Sequence, residues 1–173
     1  MDKVFGEASF LEYLQPGCVF RRSDLIGRLN GIDRVLGRLL AAQLVVRVGR
    51  GMYHYPKLSR FGVLPADPEE LVRVFLGNAD FLLVSPNDFN GLSVGTTQLY
   101  NHVLVYNRKR RGRVILDGRE FEFLVRSDLP DRVTPLFLLE ALLGYLDNLA
   151  EDRVAVRSRA QERLRELKKD SGG

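Results

Sequence analysis

The chain has 173 residues, 45% of them apolar and 28% charged, with a net charge of +4, which fits a soluble globular protein of one domain or two small ones. No apolar stretch approaches the roughly 20 residues of a membrane span, and MDKVFGEASF lacks the apolar core and cleavage site of a secretory signal, so a cytoplasmic protein without membrane contact is expected. Cys18 is the only cysteine and the two histidines, His54 and His102, stand far apart, which excludes an internal disulfide and leaves no metal-ligand spacing.

The apolar periodicity predicts a helix over 3–15, with Val4, Ala8, Leu11 and Leu14 on one stripe and Pro16-Gly17 as its stop. Cys18-Val19-Phe20 reads as a short strand. Ser23 suits the N-cap of a short helix over 24–29, and Asn30-Gly31 a turn. A longer helix is expected over 32–43. In VVRVGRGMYHYP, residues 45–56, β-branched and aromatic residues alternate on either side of Gly49-Arg50-Gly51, and both glycines tolerate positive φ. The segment therefore reads as a β-hairpin with Arg50 at its tip. Helix, short strand, helix, turn, helix, hairpin is the order of a winged helix-turn-helix. Pro56, Pro65 and Pro68 then mark a domain boundary.

Beyond that boundary, Asp67-Pro68 opens a helix over 69–76, and 81–84 reads as a strand. SPNDFNGLSVGTTQ is turn-rich with room for one short helix, and strands follow over 102–106, 113–116 and 120–126. Thr134-Pro135 opens an apolar helix to about Ala150, whose stripe is Leu136, Leu139, Leu143, Leu146 and Leu149; a charged helix spans 151–169. The predicted fold is α+β: a winged helix-turn-helix over 1–58, a linker over 59–66, and a small mixed α/β domain over 67–173 with two C-terminal helices.

Charge follows the same division. Residues 1–60 carry ten Lys/Arg against five Asp/Glu (+5), residues 61–101 one against five (−4), residues 102–133 eight against five (+3), and 134–173 seven of each. On the helix over 32–43, Ile32, Val35, Leu36, Leu39 and Leu40 gather on the core side, leaving Arg34, Gly37, Arg38 and Ala41 outside. Glycine costs about 1 kcal/mol in a helix interior relative to alanine, and a merely solvated face gains nothing from it. Two arginines four apart with small residues between them fit a helix lying against a groove wall, with guanidinium groups reaching phosphates or guanine edges. Arg47 and Arg50 then place the hairpin along the DNA backbone or in the minor groove.

PGCVFRRSDL followed by IDRVLGRLLAAQLVVRVGRGMYHYPK resembles the N-terminal winged helix of the AbiEi-family antitoxins, including the Arg50-Gly51-Met52-Tyr53 wing ending closed by Pro56. GLSVGTTQ and the strands through GREFEF are similar to that family's second half, with Val94-Gly95 inserted and Leu99 where proline is common. The resemblance implies a type IV antitoxin in phage defence that represses its own operon. Its counterpart would be a nucleotidyltransferase toxin, countered without a stable complex. By that similarity Ser23, Arg34, Arg38, Arg47 and Arg50 fall on the DNA-contacting motif, Gly37 and Tyr53 are further expected DNA contacts, and a homodimer on inverted repeats of the promoter would be a bound form. No cofactor is implied.

YNRKRRGRV, residues 106–114, reads either as a second nucleic-acid patch in Arg108, Lys109, Arg110, Arg111 and Arg113 or as a solvated loop; Tyr100 and Tyr106 are either base-stacking rings or, as is commoner for aromatics at strand ends, core. The alternative reading is a winged-helix regulator or RNA-binding module outside a toxin–antitoxin pair. Catalysis is not expected. The Gly-Ser and Asp-x-Asp strings of a nucleotidyltransferase are absent, and Glu120 and Glu122 lack the lysine two residues on that a metal nuclease would use.

Overall fold

The computed structural model describes residues 7–172. They form a mixed α+β architecture of helices and several sheets, in two compact units. One takes the chain up to Ala79 together with Ile115–Gly118; the other takes Asp80–Val114 and Arg119 onward.

In the first unit, helix α1 (Glu7–Tyr13) is anchored by Phe10 together with part of the expected stripe: Phe10 is buried, Leu14 is buried just beyond the helix and Leu11 packs half-buried against the same core, while Ala8 is exposed. Val4 lies outside the described residues. The aromatic ring wins because it removes far more apolar area from water than a methyl group does; it meets Phe20 edge-on at 5.9 Å. Strand β1 (Val19–Arg21) leads into one 3-10 turn, Arg22–Leu25. Ser23 is not an N-cap. The Asp24 carboxylate accepts from the Arg21 N–H at 3.0 Å, and Gly27, at φ +80°, prevents the helix expected over 24–29.

Helix α2 (Ile32–Ala41) buries Val35, Leu36 and Leu39, with Ile32 and Leu40 half-buried beside them. It ends in a Schellman closure: Gln43 is left-handed at φ +56°, its N–H donates to the Leu40 carbonyl, and the Leu44 N–H donates to that of Leu39. Strands β2 (Val46–Gly49) and β3 (Met52–His54) form the expected hairpin, and the sheet order is β1-β3-β2, antiparallel throughout. Only Gly51 takes positive φ. Gly49 serves a close approach instead: a Cβ there would lie 3.0 Å from the Leu116 side chain.

Strands β4 (Leu58–Ser59) and β5 (Gly62–Val63) form a second small hairpin inside the segment expected to be a linker. Helix α3 (Pro68–Leu76) is capped by the Asp67 carboxylate, which accepts from the Glu69 and Glu70 N–H groups. The division between units falls after α3 and not over 59–66, because Arg21 reaches across 53 residues to the helix C-terminus. Its guanidinium donates to the Val74 carbonyl at 2.8 Å and to that of Phe75, satisfying two carbonyls the helix leaves open. Ile115–Gly118 completes the unit: the Asp117 N–H donates to the Val48 carbonyl at 2.8 Å, and its carboxylate accepts from the Ala66 N–H.

The second unit is a four-stranded sheet covered by helices. Strands β6 (Phe81–Val84), β7 (His102–Asn107), β8 (Gly112–Leu116) and β9 (Arg119–Val125) lie in the order β6-β7-β9-β8, with β6 antiparallel and β9 parallel to β7. A 3-10 segment, Pro86–Leu92, is capped by Ser85. Thr134 caps α4 (Pro135–Tyr145), and Asp152 caps α5 (Arg153–Asp170). α4 is apolar almost all round, so burial selects Phe137, Leu139, Leu142 and Tyr145; Leu136, from the expected stripe, is exposed and Leu143 half-buried. The core joins these to Leu104 and Tyr106 of β7 and to Val156 and Ala160 of α5.

His54 on β3 is buried, and that burial pulls its pKa below the ordinary 6.5, against the opposing charge of Asp117. The folded protein therefore holds a neutral ring. Above about pH 6.5 its contribution is complete; below that the unfolded chain takes up the proton first and stability falls until the folded pKa is passed. Melting temperature measured from pH 7.5 to 5 should fall less steeply for His54→Gln than for the parent. Parallel slopes would show that His54 titrates alike in both states.

Candidate nucleic-acid interface

The outward face of α2 carries Arg34, Gly37, Arg38 and Ala41, all exposed. Burial of Val35, Leu36 and Leu39 on the far side sets this rotation. A second constraint comes from Arg22, whose Nε and Nη2 grip the two Asp33 carboxylate oxygens at 2.7 and 2.8 Å. The pair ties the 3-10 turn to the first turn of α2, and Arg22 holds the Asp33 carboxyl below the usual carboxylate range. The Arg-Arg-Ser-Asp run before the helix gives no sign in the sequence of which arginine reaches Asp33.

Arg34 folds back along the helix start, where a Cβ on Gly31 would lie 3.0 Å from its guanidinium. No carboxylate pairs with Arg34 or Arg50 among the described residues. Gly37 faces open space: a Cβ there would meet nothing within 4 Å. Nothing inside the described chain accounts for a glycine at that point in the helix.

On the hairpin, Arg50 sits exposed at the turn and Arg47 is exposed on β2. The Arg47 Nε donates to the Gly49 carbonyl at 3.3 Å, bracing the bulge where the β2–β3 register shifts. Ser23 is exposed on the 3-10 turn. Tyr53 differs from expectation, since its ring stacks on Phe20 at 5.7 Å and is half-buried against the core. Sequence alone does not reveal this, because Tyr53 pairs across the sheet with Phe20 33 positions earlier in the chain.

The basic run of the second unit is organised by a residue that sequence reasoning passed over. Asn107 is buried, and its side chain accepts from the Lys109 and Arg110 N–H groups and donates to the Arg110 carbonyl at 2.9 Å. The loop is thus pinned, but much of its charge is already matched. Arg108 pairs with Asp80 at 2.7 Å, and Arg113 lies between Glu120 and Glu122 at 3.5 and 3.4 Å. Arg110 stands 5.9 Å from the Phe123 ring centre. Lys109 and Arg111 are exposed without an ion-pair partner among the described residues. The proposed stacking rings are not available: Tyr106 is buried in the core, and the Tyr100 hydroxyl accepts from the Ala150 N–H at 2.9 Å.

Asn107→Ala would leave the Arg110 carbonyl and two loop N–H groups without their partner. A loss of about 2–3 kcal/mol in urea unfolding is expected, with faster proteolysis within 108–113. An unchanged midpoint and cleavage rate would show that the loop holds its shape by other means.

No family model, curated protein or solved structure matches this chain.

Proposed function

We propose that the first unit is a winged helix-turn-helix that binds double-stranded DNA, and that the protein is an AbiEi-like antitoxin repressing its own operon. On this reading α2 enters the major groove and the β2–β3 hairpin is the wing. The counterpart would be a nucleotidyltransferase toxin held in check without a stable complex.

The observation that carries the DNA-binding reading is the outward face of α2. An unsupported glycine costs about 1 kcal/mol of helix stability, yet Gly37 lies between two exposed arginines over open space. A missing side chain there lets a groove wall approach the helix backbone. Arg34 and Arg38 then reach base edges, while Arg47 and Arg50 displace counterions from the phosphates. The element order and the antiparallel β1-β3-β2 sheet support the same reading. The antitoxin role rests on the motif resemblance alone.

A homodimer on inverted repeats is supported by a separate surface of the first unit. Leu58, Phe61 and Val63 on the β4–β5 hairpin are 75%, 85% and 63% exposed. They adjoin a groove of about 850 Å³ lined by Leu44, Val46, Tyr55 and Pro56. A projecting ring beside an apolar groove is the kind of patch that two copies can bury reciprocally.

Fluorescence anisotropy on the protein's own upstream DNA and on scrambled duplex, at two salt concentrations, tests the DNA reading. Arg34→Ala and Arg38→Ala should each cost about 1–3 kcal/mol and relax sequence preference, whereas Arg50→Ala should weaken both duplexes evenly. Gly37→Ala separates function from folding: it should stabilise the protein by roughly 0.5–1 kcal/mol while weakening operator binding. Equal losses on both duplexes for all variants, or full binding by Gly37→Ala, would refute this docking.

Sedimentation velocity tests the dimer. Phe61→Asp should weaken self-association by about tenfold or more, as expected when a buried aromatic side chain is lost. A parent protein that stays monomeric at all concentrations removes the dimer and leaves single-copy binding.

A further inference from the structure

The β2–β3 hairpin, the wing of the DNA-binding reading, is too short to hold its own shape. Strand β2 has four residues and β3 three, and a two-stranded ribbon of that size is marginal in water. One side is supported by β1, since β3 is the middle strand of the β1-β3-β2 sheet. Just past β1, the Arg22 N–H donates to the Gly51 carbonyl at the hairpin turn at 2.9 Å. β2 is the outer strand, and no strand pairs with its other edge among the described residues.

The weak point of that edge is Val48. The β2–β3 pairing sets Arg47 against Tyr53 and then Gly49 against Met52, so Val48 is the extra residue of the bulge. A bulge leaves its extra residue out of the ladder and re-aims the chain beyond it. Here the chain beyond it is the tip that carries Arg50. The Val48 carbonyl is taken up from elsewhere: the Asp117 N–H donates to it at 2.8 Å. Leu116 is buried beside that bond, and a Cβ on Gly49 would lie 3.0 Å from its side chain and 3.7 Å from that of Met52. The residue that follows the bulge is therefore closed over by Leu116.

The support is itself stiff. Asp117 and Gly118, between β8 and β9, both take positive φ, at +50° and +71°, as in the tight two-residue turns whose twist matches their strands. The Asp117 carboxylate accepts from the Ala66 N–H at 3.2 Å, which ties the turn to the segment ahead of α3. We propose that this turn braces the wing, with Leu116 and Asp117 as positioning residues that aim Arg50. The brace takes its purpose from the DNA-binding reading, on which it rests, and its geometry from the contacts above. A guanidinium on a swinging tip must give up that freedom when it binds, whereas a braced one is already ordered.

The test combines ¹⁵N relaxation of the full chain with anisotropy titrations on the upstream and scrambled duplexes. In the parent, Arg50 and Gly51 should be as ordered as α2. In Leu116→Ala and Asp117→Gly their order parameters should fall below about 0.6 while those of α2 hold. Leu116→Met keeps the side-chain volume and Asp117→Asn keeps an acceptor for the Ala66 N–H, so both should restore order. Asp117→Gly leaves no cavity and keeps the test valid if Leu116→Ala misfolds. Each loosening variant should bind both duplexes about fivefold more weakly, the ordering cost of one long side chain. Combined with Arg50→Ala it should add nothing further, whereas a general loss of folded protein would multiply with that variant and loosen α2 as well. A tip that stays ordered in both variants, or losses that multiply with that of Arg50→Ala, would overturn the brace. A parent that binds neither duplex removes the DNA-binding reading, and the order parameters then decide the brace by themselves.

Discussion

Burial of Val35, Leu36 and Leu39 governs what the first unit can present to its surroundings. A helix of ten residues has few degrees of freedom once one face is committed, because side chains three and four apart must share a side. With those three in the core, Arg34, Gly37, Arg38 and Ala41 have nowhere to go but outward. The two ends of α2 are fixed by backbone geometry, with left-handed Gly31 before it and the closure through left-handed Gln43 after it. The Arg22–Asp33 pair adds little stability, since exposed ion pairs contribute about 0–1 kcal/mol. Its value is positional: it binds the preceding turn to the helix start and removes one carboxylate from the field around Arg34 and Arg38.

The second unit shows why a run of basic residues is not the same as a basic surface. Five cations in six positions suggest a strong potential, but Arg108 and Arg113 find carboxylates supplied by other strands and loops. An arginine that meets its counter-ion within the chain has little left with which to displace counterions from a polyanion. Arg34 and Arg50 lack such partners among the described residues, so the shorter cationic set of the first unit keeps more usable charge.

What was legible in the sequence divides along the same line. Signals confined to a few residues carried through: the core side of α2, the hairpin around Arg50, the Asp67 and Thr134 caps, and the strand over Phe81–Val84. Each is written in neighbouring positions and decided by local backbone chemistry. The failures involve partners distant in sequence. Arg21 closes a helix 53 residues away, Tyr53 stacks on a ring from β1, and Asn107 spends its amide on a loop whose shape no spacing rule describes. Ser23 is a local failure of another kind. A favourable cap residue does not make a helix when Gly27 four positions on adopts the left-handed conformation and ends it.

The two units dispose of their arginines by opposite physical routes. On α2 and its hairpin the guanidinium groups are solvated, so the attraction is long-ranged, tolerant of exact placement and screened over about 8 Å at physiological ionic strength. That suits a polymer with a phosphate at every step. In the second unit the charges are largely cancelled within the chain, because Arg108, Arg113 and Arg126 each meet a carboxylate, and little attraction is left to reach beyond the surface.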